Sequence, residues 1–265
     1  MLRHGSTFCA VTMFVAWTLV SDAAASQTEH DSDSALEVSQ AAVGRLLEDH
    51  VLLDIDGRPF RVTTLRGKPL VVSLIYTSCN HVCPVITRNL AQTVAIAQEA
   101  LGEDAFSVIT VGFDWAVDKP DRMRMYAAER GIDERNWHFL SGDAQSIDAL
   151  TRNLGFQYYP SSGGFDHLSQ VTIVDAKGTI YRQVYGQDFA APMLVEPLKE
   201  LVFDTPKQGG FVEHWVDKFK LFCTVYDPNI GRYKFDYSIL MAIFTGILSL
   251  GAVVFFITHE WRRAR

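Results

Sequence analysis

Val71-Val72-Ser73-Leu74-Ile75-Tyr76-Thr77-Ser78-Cys79-Asn80-His81-Val82-Cys83-Pro84-Val85-Ile86 joins two different patterns in sixteen residues. An apolar run rich in β-branched residues stops at Thr77-Ser78 and meets two cysteines four positions apart. Beyond Pro84, Val85, Leu90, Val94 and Ala97 recur at helical steps, with Arg88, Gln92 and Gln98 between them. The stretch therefore predicts a buried strand running into a helix, with the cysteines in the joint. Pro84 lacks an N–H, fits a first helical turn, and biases Cys83 away from helical angles. Both sulfurs then lie near a helix N-terminus, where unpaired N–H groups and the dipole favour thiolate over thiol. Such a pair suits soft-metal binding or disulfide exchange. Two plainer readings compete: cysteines as small apolar core residues, or a structural disulfide. Position favours chemistry, because α/β units place ligands and reactive groups at this kind of joint.

The chain of 265 residues is not all one globule. Residues 1–25 begin with Arg3 and His4, continue through the apolar stretch Phe8–Val20, and end at Ala23-Ala24-Ala25. This is the pattern of a secretory signal peptide; an uncleaved anchor is the alternative. Residues 237–257, Tyr237 to Ile257, carry no charge and are followed by a short tail, 258–265, holding Arg262, Arg263 and Arg265. About 20 apolar residues span the hydrocarbon core of a bilayer. The arginines place the tail in the cytoplasm. One C-terminal transmembrane helix is therefore expected, with the domain between the two signals exported into the periplasm of a bacterial-type inner membrane. Tyr233, Tyr237 and Trp261 are suited to anchor at the interface.

Between these ends, residues 26–45 read as a flexible polar linker and 46–205 as one domain, with 206–236 as a juxtamembrane segment. A short helix is expected from Ala41 to Asp49. The net charge is -7 and the domain has no dense Lys/Arg block, so no nucleic-acid partner is expected. Cys9 leaves with the signal peptide. Cys79, Cys83 and Cys223 remain, which reads as one functional pair and one odd cysteine rather than a disulfide framework.

Along the domain, Val51–Val62 predicts a hairpin turned at Asp56-Gly57, and Leu70–Tyr76 the central strand. A helix follows to about Ala100, then a strand over Phe106–Phe113. Pro120 opens a helix closed by Gly131, and Trp137–Leu140 is a short strand. Asp143 caps a helix that Gly155 stops. Ser161-Ser162-Gly163-Gly164 reads as a loop before Phe165-Asp166-His167. Val171–Val174 and Ile180–Tyr185 form a second hairpin across Asp175–Gly178, and Pro192–Leu201 is the last helix. The order implies an α/β sandwich with a mixed sheet and helices on both faces.

Cys79-x-x-x-Cys83-Pro84 after a strand, with Asp166-His167 beside a later one, resembles the Sco/SenC family, thioredoxin-like proteins that deliver copper to the dinuclear CuA centre of cytochrome oxidase. The likeness runs from about Leu52 to Leu201. It includes Gly67-Lys68-Pro69-Leu70-Val71-Val72, the loop Asp114…Asp118-Lys119-Pro120, Gly142 and the Asp175…Gly178 hairpin. Asn80 stands where the family usually has proline, Leu168 where serine commonly follows the histidine, and no proline follows Asp114. The resemblance implies a thioredoxin-like fold, copper as the metal, and Cys79, Cys83 and His167 as its ligands. The implied partner is a copper-receiving oxidase subunit or another copper chaperone.

Two thiolates and an imidazole hold Cu(I) and accept Cu(II). Zinc in a structural site would want four ligands. Alone, His167 reads more readily as a hydrogen-bonded residue at a strand edge than as a ligand. Asp166 reads as its orienting acceptor or as a turn carboxylate, His81 as a spare ligand, and Asp114 and Asp118 as site-facing groups or loop solvation. Cys223 reads as an accessory ligand or a membrane-proximal apolar residue. A rival function uses the same cysteines as a redox-active disulfide, in a thiol–disulfide oxidoreductase that reduces a target's cysteines before metal insertion. A copper or redox sensor and, more weakly, a peroxidase fit the same residues.

Overall fold

A computed structural model of the chain describes residues 33–79, 82–133, 135–204, 224–227, 232–235 and 238–263. The expected signal peptide, Asn80, His81 and Cys223 lie outside the described residues. At the centre of the fold is β3 (Leu70–Ile75), buried at every position. It runs parallel to β4 (Ser107–Gly112), which in turn runs parallel to β5 (Trp137–Leu140). On its other side β3 pairs antiparallel with β8 (Gln170–Val174), and β8 with β9 (Ile180–Tyr185). The resulting order is β5-β4-β3-β8-β9, the mixed sheet that the sequence pattern implies. Parallel strands covered on both faces read as unbroken apolar runs, which is why β3 and β4 were legible. The β8–β9 turn is fixed by Asp175, whose Oδ1 accepts from the N–H groups of Lys177 and Thr179.

The register assigns the covering layers. Side chains at paired positions share a face. Ser73, Thr110 and Phe139 are aligned across three strands, and the Phe139 ring lies 6.4 Å from that of Tyr126 in α3 (Pro120–Glu129). The Tyr126 hydroxyl bonds Thr87 of α2 (Val82–Leu101) at 2.8 Å, so α2 and α3 cover this face. The opposite face carries Val72, Ile109, His138, Thr172 and Gln183. There His138 meets Phe60 of the hairpin β1 (Val51–Leu53) and β2 (Pro59–Arg61) at 4.9 Å. Gln170 and Gln183 both donate to the carbonyl of Leu154, the last residue of α4 (Ala144–Leu154). Helices therefore lie on both faces. The final helix of the domain is α5 (Pro192–Asp204), which packs against α2.

Three expectations change. Residues 33–40, expected inside a flexible linker, form helix α1. Ser39 and Ala42 are buried, and the Ser39 hydroxyl bonds Gln170 at 2.7 Å and Tyr185 at 2.8 Å. Its few apolar residues gain burial only against the sheet, which local composition does not reveal. The expected helix over Ala41–Asp49 is absent. Gly44 and Leu47 instead donate to the carbonyls of Ile180 and Gly178, so pairing with β9 wins over local helical spacing. Finally, Tyr158–Ser161 (β6) and Gly164–His167 (β7) form a separate two-stranded ribbon. Pro160 and the Ser/Gly run disguised it as a loop, but proline is tolerated on an edge strand.

Toward the C-terminus, β10 (Thr224–Asp227) pairs with β11 (Arg232–Phe235), and the backbone is helical over α6 (Ser238–Arg263). Side chains at 238–240, 242–243, 252–253, 255–258 and 260 of α6 lie outside the described residues. Among the described residues no helix is long and apolar enough to cross a membrane.

Gly155 provides a test of the docked α1. It closes α4 at φ 67, and a Cβ there would stand 2.6 Å from the Val38 carbonyl and 2.8 Å from the Ala42 Cβ. Gly155→Ala is expected to destabilise the domain by roughly 1–3 kcal/mol. A lower urea midpoint at unchanged slope checks this.

Candidate metal centre

The strand β3 ends at Ile75, and the chain turns at once, the Cys79 N–H donating to the Tyr76 carbonyl at 3.1 Å. Helix α2 starts at Val82, so Cys83 is its second residue and Pro84 its third. The start is earlier than the proline rule suggests. Proline in a first turn loses only an N–H that has no helical partner anyway. The Cys83 N–H, one of those orphan donors, reaches the Cys79 sulfur at 3.4 Å. Sulfur thus takes the place of a capping oxygen. Both cysteines are buried thiols, Cys83 only 1% exposed and Cys79 8%.

That burial overturns the expected low-pKa thiolate at Cys83. Desolvation pushes this thiol well up, against a backbone bond from Tyr76, and the neighbouring Cys79 and Asp118 add to the rise. Desolvation of the anion outweighs whatever the helix terminus contributes.

Asp118 ties the turn to the loop after β4. Its Oδ1 accepts from the Thr77 N–H at 2.9 Å and the Thr77 hydroxyl at 2.6 Å, and its Oδ2 from the Asp114 N–H at 3.0 Å. The side chain is fully buried, and burial raises its carboxyl in spite of those donors. Gly112 makes room, because a Cβ there would lie 2.5 Å from the Asp118 Cβ. Asp118 is therefore not loop solvation. It is an internal fastener.

His167 closes β7 opposite Tyr158. Its Nδ1 is 2.9 Å from the Leu168 carbonyl. A carbonyl only accepts, so Nδ1 carries the proton and Nε2 the lone pair. Burial lowers the imidazole's pKa and keeps it neutral. The orienting acceptor is thus Leu168 rather than Asp166, which is exposed. The ring packs among Phe156 at 5.3 Å, Phe113 at 5.4 Å and Tyr76 at 6.1 Å.

The structure brings Cys79 and Cys83 together and places His167 on the other side of Tyr76. Among the described residues no three of His, Cys, Asp and Glu stand close enough to hold a metal ion. Tyr76 is the contact common to both sides, its ring against His167 and its carbonyl accepting the Cys79 N–H. Burial foremost, and then the neighbouring Cys79, push the phenol up to about 12. Sequence reasoning missed Tyr76 and its neighbour Gly164. The aromatic ending an apolar strand looked like core, and the glycine like loop.

Residues 39–202 match the sequence profile of SCO1/SenC. The chain belongs to the SCO1/SenC family. A SCO1 protein homolog of Bacillus subtilis is 29% identical over 93 residues, which is 34% of this chain and 46% of that relative. The match thus spans under half the relative's length. Among solved structures, a candidate electron transfer protein from Aquifex aeolicus is 27% identical, with a TM-score of 0.55 over 60% of this chain and 94% of that one. Yeast Sco1 with copper bound is 18% identical, with a TM-score of 0.52 over 62% of this chain and 92% of that chain, and shares the fold. The SCO1/SenC fold is thioredoxin-like, as the resemblance implied.

Cys79 and Cys83 place two sulfurs at the strand–helix joint, and the neutral imidazole of His167 keeps its lone pair on Nε2. Sulfur and imidazole nitrogen are donor types that soft ions accept.

Asp118→Ala is expected to leave both Thr77 donors and the Asp114 N–H unpaired, destabilising the domain by roughly 1–3 kcal/mol. The sign of the pH effect follows from the raised carboxyl. The folded state binds this proton more tightly than the unfolded chain, so the contribution of Asp118 falls as pH rises. The gap between wild type and variant should be largest below the unfolded value of 3.8 and smallest above the folded pKa. Urea titrations across pH check both points.

Proposed function

We propose that this chain is a membrane-tethered, exported copper-binding protein that carries Cu(I) to the CuA centre during cytochrome c oxidase assembly. The carrying observation is the pair of buried thiols at the strand–helix joint, Cys79 in the turn and Cys83 on the first turn of α2, within a SCO1/SenC domain. Cys79 and Cys83 are the sulfur ligands and His167 the third. Thiolates select Cu(I), and a two- or three-coordinate ion leaves a position open for a receiving protein's ligand. The copper-bound yeast relative supports the same cargo here. The receiving partner is an oxidase subunit or another copper chaperone.

Tethering rests on residues 237–257, which carry no charge. All the described side chains from Phe244 to Gly251 are exposed, on every side of the helix, including Ile247 at 68% and Leu250 at 71%. A helix apolar all round wants lipid or another apolar partner rather than water. With Arg262, Arg263 and Arg265 in the tail, the C-terminus lies in the cytoplasm and the domain in the periplasm. A periplasm-only reporter fused after Arg265 should be inactive; an active one contradicts this topology.

In the full-length protein, Cys83→Ser should lower Cu(I) affinity by more than the roughly 10–100-fold typical of losing a supporting partner. Competition with a Cu(I) chelator measures it, and unchanged binding refutes the assignment. His167→Ala separates carrier from reductase. Loss of CuA in cells carrying only that variant, at normal abundance and with normal disulfide exchange, supports delivery. Normal CuA supports a thiol–disulfide oxidoreductase, whose attack on a disulfide needs the sulfurs alone.

A further inference from the structure

The β6–β7 ribbon that carries His167 shares no hydrogen-bonded strand with the five-stranded sheet. Backbone pairing therefore does not fix where it stands relative to the cysteine turn; side chains must. Phe113, fully buried, meets Tyr158 at 4.8 Å and Phe165 at 5.4 Å, but apolar contact of this kind has little directionality. Tyr76 adds direction. Its ring is edge-on to Phe165 at 5.3 Å and to His167 at 6.1 Å, and its carbonyl accepts the Cys79 N–H at 3.1 Å. Its hydroxyl end reaches into the ribbon, against Gly164.

Gly164 admits that hydroxyl. A Cβ at Gly164 would stand 2.7 Å from the Tyr76 oxygen and 3.0 and 3.1 Å from two ring carbons, and its φ of +125 disfavours any other residue. Glycine is required twice over. The ribbon is thus shaped to receive one phenol, and that phenol is held by the thiol-bearing turn.

We propose that Tyr76 is a positioning residue, a strut whose phenol, with its hydroxyl seated on Gly164, holds the His167 ribbon in register with the cysteine turn. The consequence for copper rests on the carrier function above; the strut itself does not. Tyr76→Phe keeps the ring, its volume and its edge contacts, and removes only the hydroxyl. In the metal-free full-length protein, amides of residues 158–167 should exchange with deuterium several-fold faster once the hydroxyl is gone from its seat on Gly164. Amides of β3 and β4 and the thermal midpoint should not move, whereas a general loss of packing would shift all of them. Gly164→Ala should likewise speed exchange in the ribbon. The Tyr76→Phe protein should also bind Cu(I) about tenfold more weakly in chelator competition.

Ribbon exchange at the wild-type rate in either variant overturns the strut. Faster exchange with unchanged Cu(I) affinity overturns its role in positioning the ligands. If wild-type protein binds no Cu(I), the carrier function fails, while the exchange result still decides the strut.

Discussion

The buried carboxylate of Asp118 is the interaction on which the site depends. A strand that ends inside a domain leaves backbone donors without water, and each unpaired donor there is costly. The turn after β3 meets that demand by borrowing a side chain from the next crossover. Thr77 supplies an N–H and a hydroxyl, Asp114 a second N–H, and one carboxylate accepts them all. The loop after β4 and the turn after β3 are then one rigid body, and Cys79 follows two residues later. Gly112 is the condition for this arrangement, since any side chain there would collide with Asp118.

Against that rigid side stands a side of softer construction. His167 is brought by a two-stranded ribbon and packed by aromatic rings from three other segments, Tyr76, Phe113 and Phe156. Rings in edge contact give a large apolar area with modest orientation preference. A side chain carried on such a mount can shift without breaking a main-sheet ladder. The cysteines cannot, because Cys83 is fixed in a helix whose first turn is also bonded by Tyr126, the hydroxyl of which donates to the Cys83 carbonyl at 3.1 Å. Fixed sulfurs and an adjustable imidazole suit the proposed carrier, which must hold an ion and then release it.

The same burial sets the chemistry of the thiols. An exposed pair at a helix end would be ionised readily and would attack disulfides indiscriminately. With Cys83 sealed by Tyr76, Tyr126 and the Asp118 loop, its proton is held until something displaces it. In the proposed carrier a soft cation would do so directly, tying metal uptake to proton release.

The sequence by itself determined the elements and the cysteine pair. β3 and β4 are continuous apolar runs because both faces are covered, and Asp143, Gly155 and the Asp175–Gly178 turn carry their own local geometry. The strand–helix joint with its Cys-x-x-x-Cys spacing was legible for the same reason: its signals lie within one turn of chain. Only the tertiary structure decided what long-range pairing supplies. Residues 33–40 become a helix because Gln170 and Tyr185 receive Ser39, and Leu47 stays extended because Gly178 offers a carbonyl. Asp118 becomes a fastener rather than a surface charge because Thr77, 41 residues earlier, turns its donors toward it. The Cys83 thiol is raised rather than lowered because solvation depends on everything packed around a group, and no local pattern encodes that. Propensity and spacing are properties of neighbours in the chain; burial and hydrogen-bond partners are properties of neighbours in space.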